Sequence, residues 1–167
     1  MNLRPPSSTR VESHLWHESE KVMSDYSSDK AELLSDLEQS RAQLNEVVGK
    51  LSPNDLSSAR RGSWPVSKIL DHVLHSERLY AQLISVFSGV GASVEPDGTP
   101  STSTEALSAL AVTRDAVLGG IGHVKEEDFY RLQAIGHEEY SVLSILENVA
   151  AHDREHAEQI HKTLSQS

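Results

Sequence analysis

Cysteine is absent from the 167 residues, so disulfides, thiolate metal sites and cysteine nucleophiles are all excluded. Positive charge is scarce: 15 Lys plus Arg stand against 25 Asp plus Glu, a formal net charge of −10. A surface that coats nucleic acid backbones or anionic lipid has to be cationic, so neither nucleic acid nor a membrane is an expected partner. No stretch approaches the roughly 20 consecutive apolar residues that span a bilayer. The opening MNLRPPSSTR lacks the apolar segment of a secretory leader, and a cytoplasmic location is the expectation. Aromatic residues are few. What the chain has instead is histidine, nine in all against two Phe and four Tyr. Soft metal chemistry must then run on imidazole and carboxylate. The length suits one domain that buries about 70% of its extended-chain surface.

The pattern along the chain is helical. Residues 1–28 open with a Pro-Pro and Ser-rich stretch followed by a short mixed run, and read as an extension, either a short helix or disordered. The bundle itself is expected over 29–167. From Lys30 to about Leu51 the apolar residues Leu33, Leu34, Leu37, Leu44, Val47, Val48 and Leu51 recur at helical spacing. Ser52-Pro53-Asn54 stops that helix. Pro65 fits a first helical turn, and a second helix should follow from Val66 to about Phe87. A Gly/Ser/Pro/Thr loop spans 88–104. Ser103 or Thr104 could cap a third helix from Glu105 to Leu118, with Gly119-Gly120 as its stop. Ser141 is a plausible cap for a last helix from Val142 to about Leu164. No strand-like alternation exceeds a few residues. Four long amphipathic helices predict an all-α four-helix bundle with an N-terminal extension.

Two of the nine histidines stand out on the last helix. Val142, Leu146, Val149, Ile160 and Leu164 cluster on its inner face, at about 100° per residue. His156 falls on the flank of that face and His152 about 40° further round. Spaced i, i+4, the two imidazoles stack one turn apart and could share an ion. On the second helix His72 lies at the edge of the apolar stripe, while His75 sits about 60° further out. His161 is rotated toward solvent. His14, His17, His123 and His137 lie in weakly structured or loop segments. The bland reading is a chance pair in a histidine-rich chain. Asp153, near the centre of the inner face, would be costly without a partner. It could orient a ligating histidine by accepting its N–H, pair with a buried Arg, or lie where the helix end is solvated. His152-Asp153-Arg154-Glu155-His156 has the histidine spacing of the zinc-peptidase helix. Its second position is one methylene short of the usual glutamate, and Glu155 points to another side, so that reading is weak.

Trp64 followed by His72 within SWPVSKILDHVLHSE, then SVLSILENVAAHDREHAEQIH, resembles the DinB-like (DinB/YfiT) superfamily of metal-binding four-helix bundles. The likeness covers roughly residues 30–165, including LSPNDL and EEDFYR; Pro65 departs from it where a serine-like cap is usual. The resemblance implies three metal ligands, His72, His152 and His156. It also implies a divalent transition metal, zinc or nickel first, with iron, manganese or copper as alternatives. Characterised relatives include thiol-dependent S-transferases and isomerases, which implies a small-molecule substrate and an exogenous low-molecular-weight thiol. A metal-dependent hydrolase and a non-catalytic, stress-associated metal-binding protein are the rival expectations. A homodimer through a helix face is expected as well.

Overall fold

The computed structural model describes the backbone of residues 9–59, 61–92 and 98–165, with side chains from Asp25 onward. Four long helices form the body: α1 (Thr9–Gly49), α3 (Val66–Ser88), α4 (Ser103–Ile121) and α6 (Val142–Leu164). Between them lie the short helices α2 (Pro53–Ser57) and α5 (Glu126–Phe129), and a two-stranded hairpin, β1 (Gln133–Ile135) with β2 (Glu138–Tyr140). No helix among the described residues is long and apolar enough to cross a membrane.

Local chemistry sets the boundaries. Ser52 and Asp55 form a reciprocal capping box at α2, with Pro53 in its first turn. Pro65 precedes α3, and Gly89 ends it at φ 69°, a left-handed position that glycine takes without steric cost. Ser141 and Ser144 cap α6 reciprocally. For α4 the cap is Thr102, whose hydroxyl accepts from the Glu105 N–H at 3.1 Å, rather than Ser103 or Thr104. That helix also runs through Gly119-Gly120 to Ile121 instead of stopping there. The reason lies across the bundle. A Cβ on Gly120 would come within 2.8 Å of Ile84 Cγ2, so the glycine permits a close approach of α4 to α3. The hairpin turns at Gly136-His137, with positive φ at Gly136 alone, as a type II′ turn requires.

α1 begins at Thr9, well before the Lys30 start suggested by its apolar stripe. Within residues 1–28, Tyr26 packs edge-on against Phe129 with ring centroids 5.1 Å apart.

α1 packs against α6 and α4, and α3 packs against the same two helices, so α1 and α3 face each other across the diagonal. The core divides into two apolar halves. One holds Leu44, Val48, Ile69, Leu70, Val73, Leu110 and Ile160. The other holds Leu37, Ile84, Val117, Phe129, Ile145, Leu146 and Val149. Between them lies one charged layer to which each long helix contributes a residue: Arg41, Glu77, Arg114 and Asp153, all buried. Arg41 bonds Glu77 Oε2 at 2.5 Å and Asp153 Oδ2 at 3.0 Å. Arg114 bonds Glu77 Oε1 at 2.6 Å and Asp153 Oδ2 at 2.7 Å. Arg41 also donates to the Leu110 carbonyl, Arg114 to the Leu37 carbonyl, and Thr113 to Glu77. Two cations and two anions cancel, and their hydrogen bonds offset the desolvation that each charge alone would suffer.

Candidate metal centre

The α3–α6 seam carries the histidines. His152 and His156 are one turn apart on α6, and His72 reaches them from α3. His152 Nε2 lies 3.0 Å from His156 Nε2 and 3.2 Å from His72 Nε2, and the three rings have one ligand atom each within 4.8 Å of one another. Two nitrogens bound at about 2.0–2.1 Å to one tetrahedral ion stand about 3.3–3.4 Å apart, so the spacing fits a shared ion. Imidazole nitrogens turned on one point cannot all satisfy each other, because each pairing needs one N–H and one lone pair. A single cation would accept every lone pair at once. His156 is buried; His72 and His152 are half-buried.

The surroundings hold this arrangement. His156 Nδ1 faces Gln159 Oε1 at 2.6 Å; the amide oxygen can only accept, so Nδ1 carries the proton and Nε2 presents its lone pair to the cluster. Trp64 packs edge-on against His72 at 5.5 Å, and Lys68 Nζ lies 4.9 Å from the Trp64 ring centroid. Tyr80 packs edge-on against His152 at 6.1 Å. Burial, followed by the like charges of His156 and His72, pushes the His152 imidazole down to about 4. Burial, then His156 and His75, also lowers His72. Both are therefore neutral at physiological pH, the form in which histidine binds metals. Burial raises the Tyr80 hydroxyl, and the nearby Glu155 carboxylate pushes it the same way.

A cavity of about 510 Å³ opens on the cluster, lined among others by Ser63, Trp64, His72, Glu155, His156 and Gln159. It gives the open side of a three-histidine site access to a small molecule. A second cavity of about 500 Å³ lies between α1 and α4, over Arg41 and Arg114. Both guanidiniums there are already bonded to Glu77 and Asp153, so the reactive groups are at the histidines.

Among the remaining sequence candidates, His75, His123, His137 and His161 are exposed and outside the cluster. His14 and His17 lie outside the described side chains. Asp153 corrects one expectation: its hydrogen bonds run to Arg41 and Arg114, the buried-arginine alternative, and not to a ligating imidazole. Burial pushes its carboxyl up, and the two guanidiniums pull against that. The residue that holds a ring of the histidine cluster is Gln159, three positions after His156, which the sequence reading passed over. Glu155 corrects another, since it lines the cavity with His72 and His156 rather than facing away.

Comparison with known proteins agrees with the fold. The sequence matches the DinB superfamily over residues 36–160. The structure is similar to the crystal structure of a DinB-like protein from Bacillus cereus, with a TM-score of 0.66 at 13% identity, covering 80% of this chain and 89% of that one. No curated protein matches the sequence. With three quarters of its length matched, the chain belongs to the DinB superfamily.

Proposed function

We propose that the chain binds one divalent transition-metal ion, zinc or nickel in preference to iron, manganese or copper, through the Nε2 atoms of His72, His152 and His156. We further propose that it is an enzyme acting on a small molecule with an exogenous thiol, as an S-transferase or isomerase. The observation that carries this is the convergence of three imidazole nitrogens beneath an open cavity. A divalent ion held by three protein ligands supplies one open position and stabilises the thiolate of a thiol placed there. The chain has no cysteine, so the sulfur must come from outside, and a reducing cytoplasm is where such thiols persist. Gln159 keeps the His156 proton on Nδ1, and Trp64 walls the cavity beside His72.

Metal-assisted hydrolysis is the second reading, favoured by one observation. Glu155 places a carboxylate in the same cavity as two of the histidines, where it can take a proton from an attacking water.

Absorption spectroscopy of the cobalt-substituted protein separates them. A sulfur-to-metal charge-transfer band on adding mycothiol, bacillithiol or glutathione supports the thiol reading, and it should persist below the free-thiol pKa of roughly 8.5. Silence toward all three removes that reading and leaves hydrolysis, tested on a panel of esters and amides. No turnover on either panel would make the chain a non-catalytic metal-binding protein.

A further inference from the structure

We propose that the cavity between α1 and α4 is a second ligand site, which takes a small neutral molecule with an apolar body and one hydroxyl group. Packing explains why the space is there. α4 leans on α3, where Gly120 admits Ile84, and its seam with α1 is the sparsest of the four between long helices. Leu34, Leu37 and Leu118 give that seam apolar walls around a cavity of about 500 Å³. Sites that enclose small molecules run from about 300 to 1,000 Å³ and combine apolar walls with a few fixed polar groups. Leu118 is 40% exposed, apolar surface that a bound molecule would remove from water.

The polar groups identify the ligand. Arg41 and Arg114 line the cavity with side chains only 9% and 8% exposed. A guanidinium carries five N–H groups. Among the described residues Arg41 spends three on Asp153, Glu77 and the Leu110 carbonyl, and Arg114 three on Glu77, Asp153 and the Leu37 carbonyl. One N–H on each terminal nitrogen is left for an oxygen of the ligand. Asn45 lines the cavity too, and its Oδ1 is buried without a hydrogen-bond partner. Rotation about χ2, a soft torsion, turns that oxygen toward a donor in the cavity. A hydroxyl meets both needs, since it donates one hydrogen bond and accepts others. Charge of either sign is disfavoured. The guanidiniums oppose an ammonium; Glu77 and Asp153 already neutralise them, and the exposed Glu38 on the cavity wall opposes a carboxylate. None of the three clustered histidines lines this cavity, so the site stands or falls independently of the metal reading.

Titration of the isotope-labelled protein with benzyl alcohol, followed by amide chemical shifts, tests it. Benzyl alcohol should move the amides from Leu34 to Asn45 and from Arg114 to Leu118 and saturate, with a Kd of about 1 mM or below. Benzoate and benzylamine, of nearly the same shape, should each bind at least about tenfold more weakly. Toluene, which lacks the oxygen, should also bind more weakly. Ala42→Phe, at an exposed position on the cavity wall, should fill the space and weaken benzyl alcohol by at least about tenfold with helical circular dichroism unchanged. Leu118→Trp should do the same from α4. No saturation, or shifts confined to the Trp64 and His72 side of the bundle, overturns the proposal. So does equal binding of benzoate, benzylamine or toluene, or wild-type affinity in both filled variants.

Discussion

Gln159 Oε1 lies 2.6 Å from His156 Nδ1, one turn further along the same helix. The contact fixes both the ring's rotation and its tautomer, so the lone pair on Nε2 is aimed before any ion arrives. Gln159→Leu should weaken zinc binding by about 10- to 100-fold without removing a ligand. Competition against a chromophoric chelator measures it; affinity within twofold of wild type would show that the ring is held by other contacts.

The three histidines proposed to hold the ion should behave differently in kind from the others. His72→Ala, His152→Ala and His156→Ala should each abolish tight binding of one ion per chain, whereas His75→Ala and His161→Ala should leave stoichiometry and affinity unchanged. Elemental analysis of protein purified without a metal-affinity step gives the stoichiometry. Equal losses at all five positions would mean that binding is diffuse.

Acid should destabilise the metal-free chain through His152. Its imidazole is held at about 4 in the fold, against about 6.5 when exposed, so between those values the unfolded chain binds more protons. Its contribution is therefore fully present above about pH 6.5 and is lost as the pH falls toward 4. Urea unfolding in the presence of chelator should show a midpoint that drops across this window. The drop should be shallower in His152→Phe, and parallel curves for the two proteins would rule His152 out as its source.

The charged layer predicts a stability effect away from the metal. Arg114→Met removes one of two cations facing Glu77 and Asp153 and should cost about 3–5 kcal/mol, because two buried carboxylates then share one guanidinium. Asp153→Asn should act in the same way, lowering the unfolding midpoint before it affects zinc affinity. Lys50→Ala, at the exposed pair with Glu46, is the control and should leave the midpoint near wild type.

Trp64 should report the ion directly. Its ring packs edge-on against His72 at 5.5 Å, so copper or cobalt at the cluster should quench its emission. Trp16→Phe isolates the signal. Titration should then give a break at one equivalent, and unchanged emission would place the ion elsewhere.

Much of this was legible in the sequence, and what was not had more than one physical cause. Ser141 and the start of α6 follow from capping chemistry within four residues, and α3 begins at Val66 because Pro65 and the apolar stripe agree. The His152–His156 pair is likewise local. Gly119-Gly120 misled because a glycine can serve a close contact as readily as a stop, and only Ile84 on another helix decides which. Asp153 was recognised as needing a partner, but its partners lie on α1 and α4, which no periodicity on α6 can name. Gln159 was within reach: a side-chain acceptor three residues after a histidine on one helix can meet that ring. The hairpin strands are three residues long, too short for alternation to show.

The layer of Arg41, Glu77, Arg114 and Asp153 has a consequence for how freely this sequence can drift. Leu, Ile and Val grip one another without direction, so a wholly apolar bundle can rotate or slide a helix by a turn at small cost. A guanidinium held to specific oxygens on two other helices cannot follow such a slip without breaking several bonds together. With the alignment of the four helices pinned at that level, the apolar residues above and below are free to exchange one for another over evolutionary time. His152 is the immediate neighbour of Asp153, so the residues that pin the bundle also keep the histidine cluster aimed while the rest of the core changes.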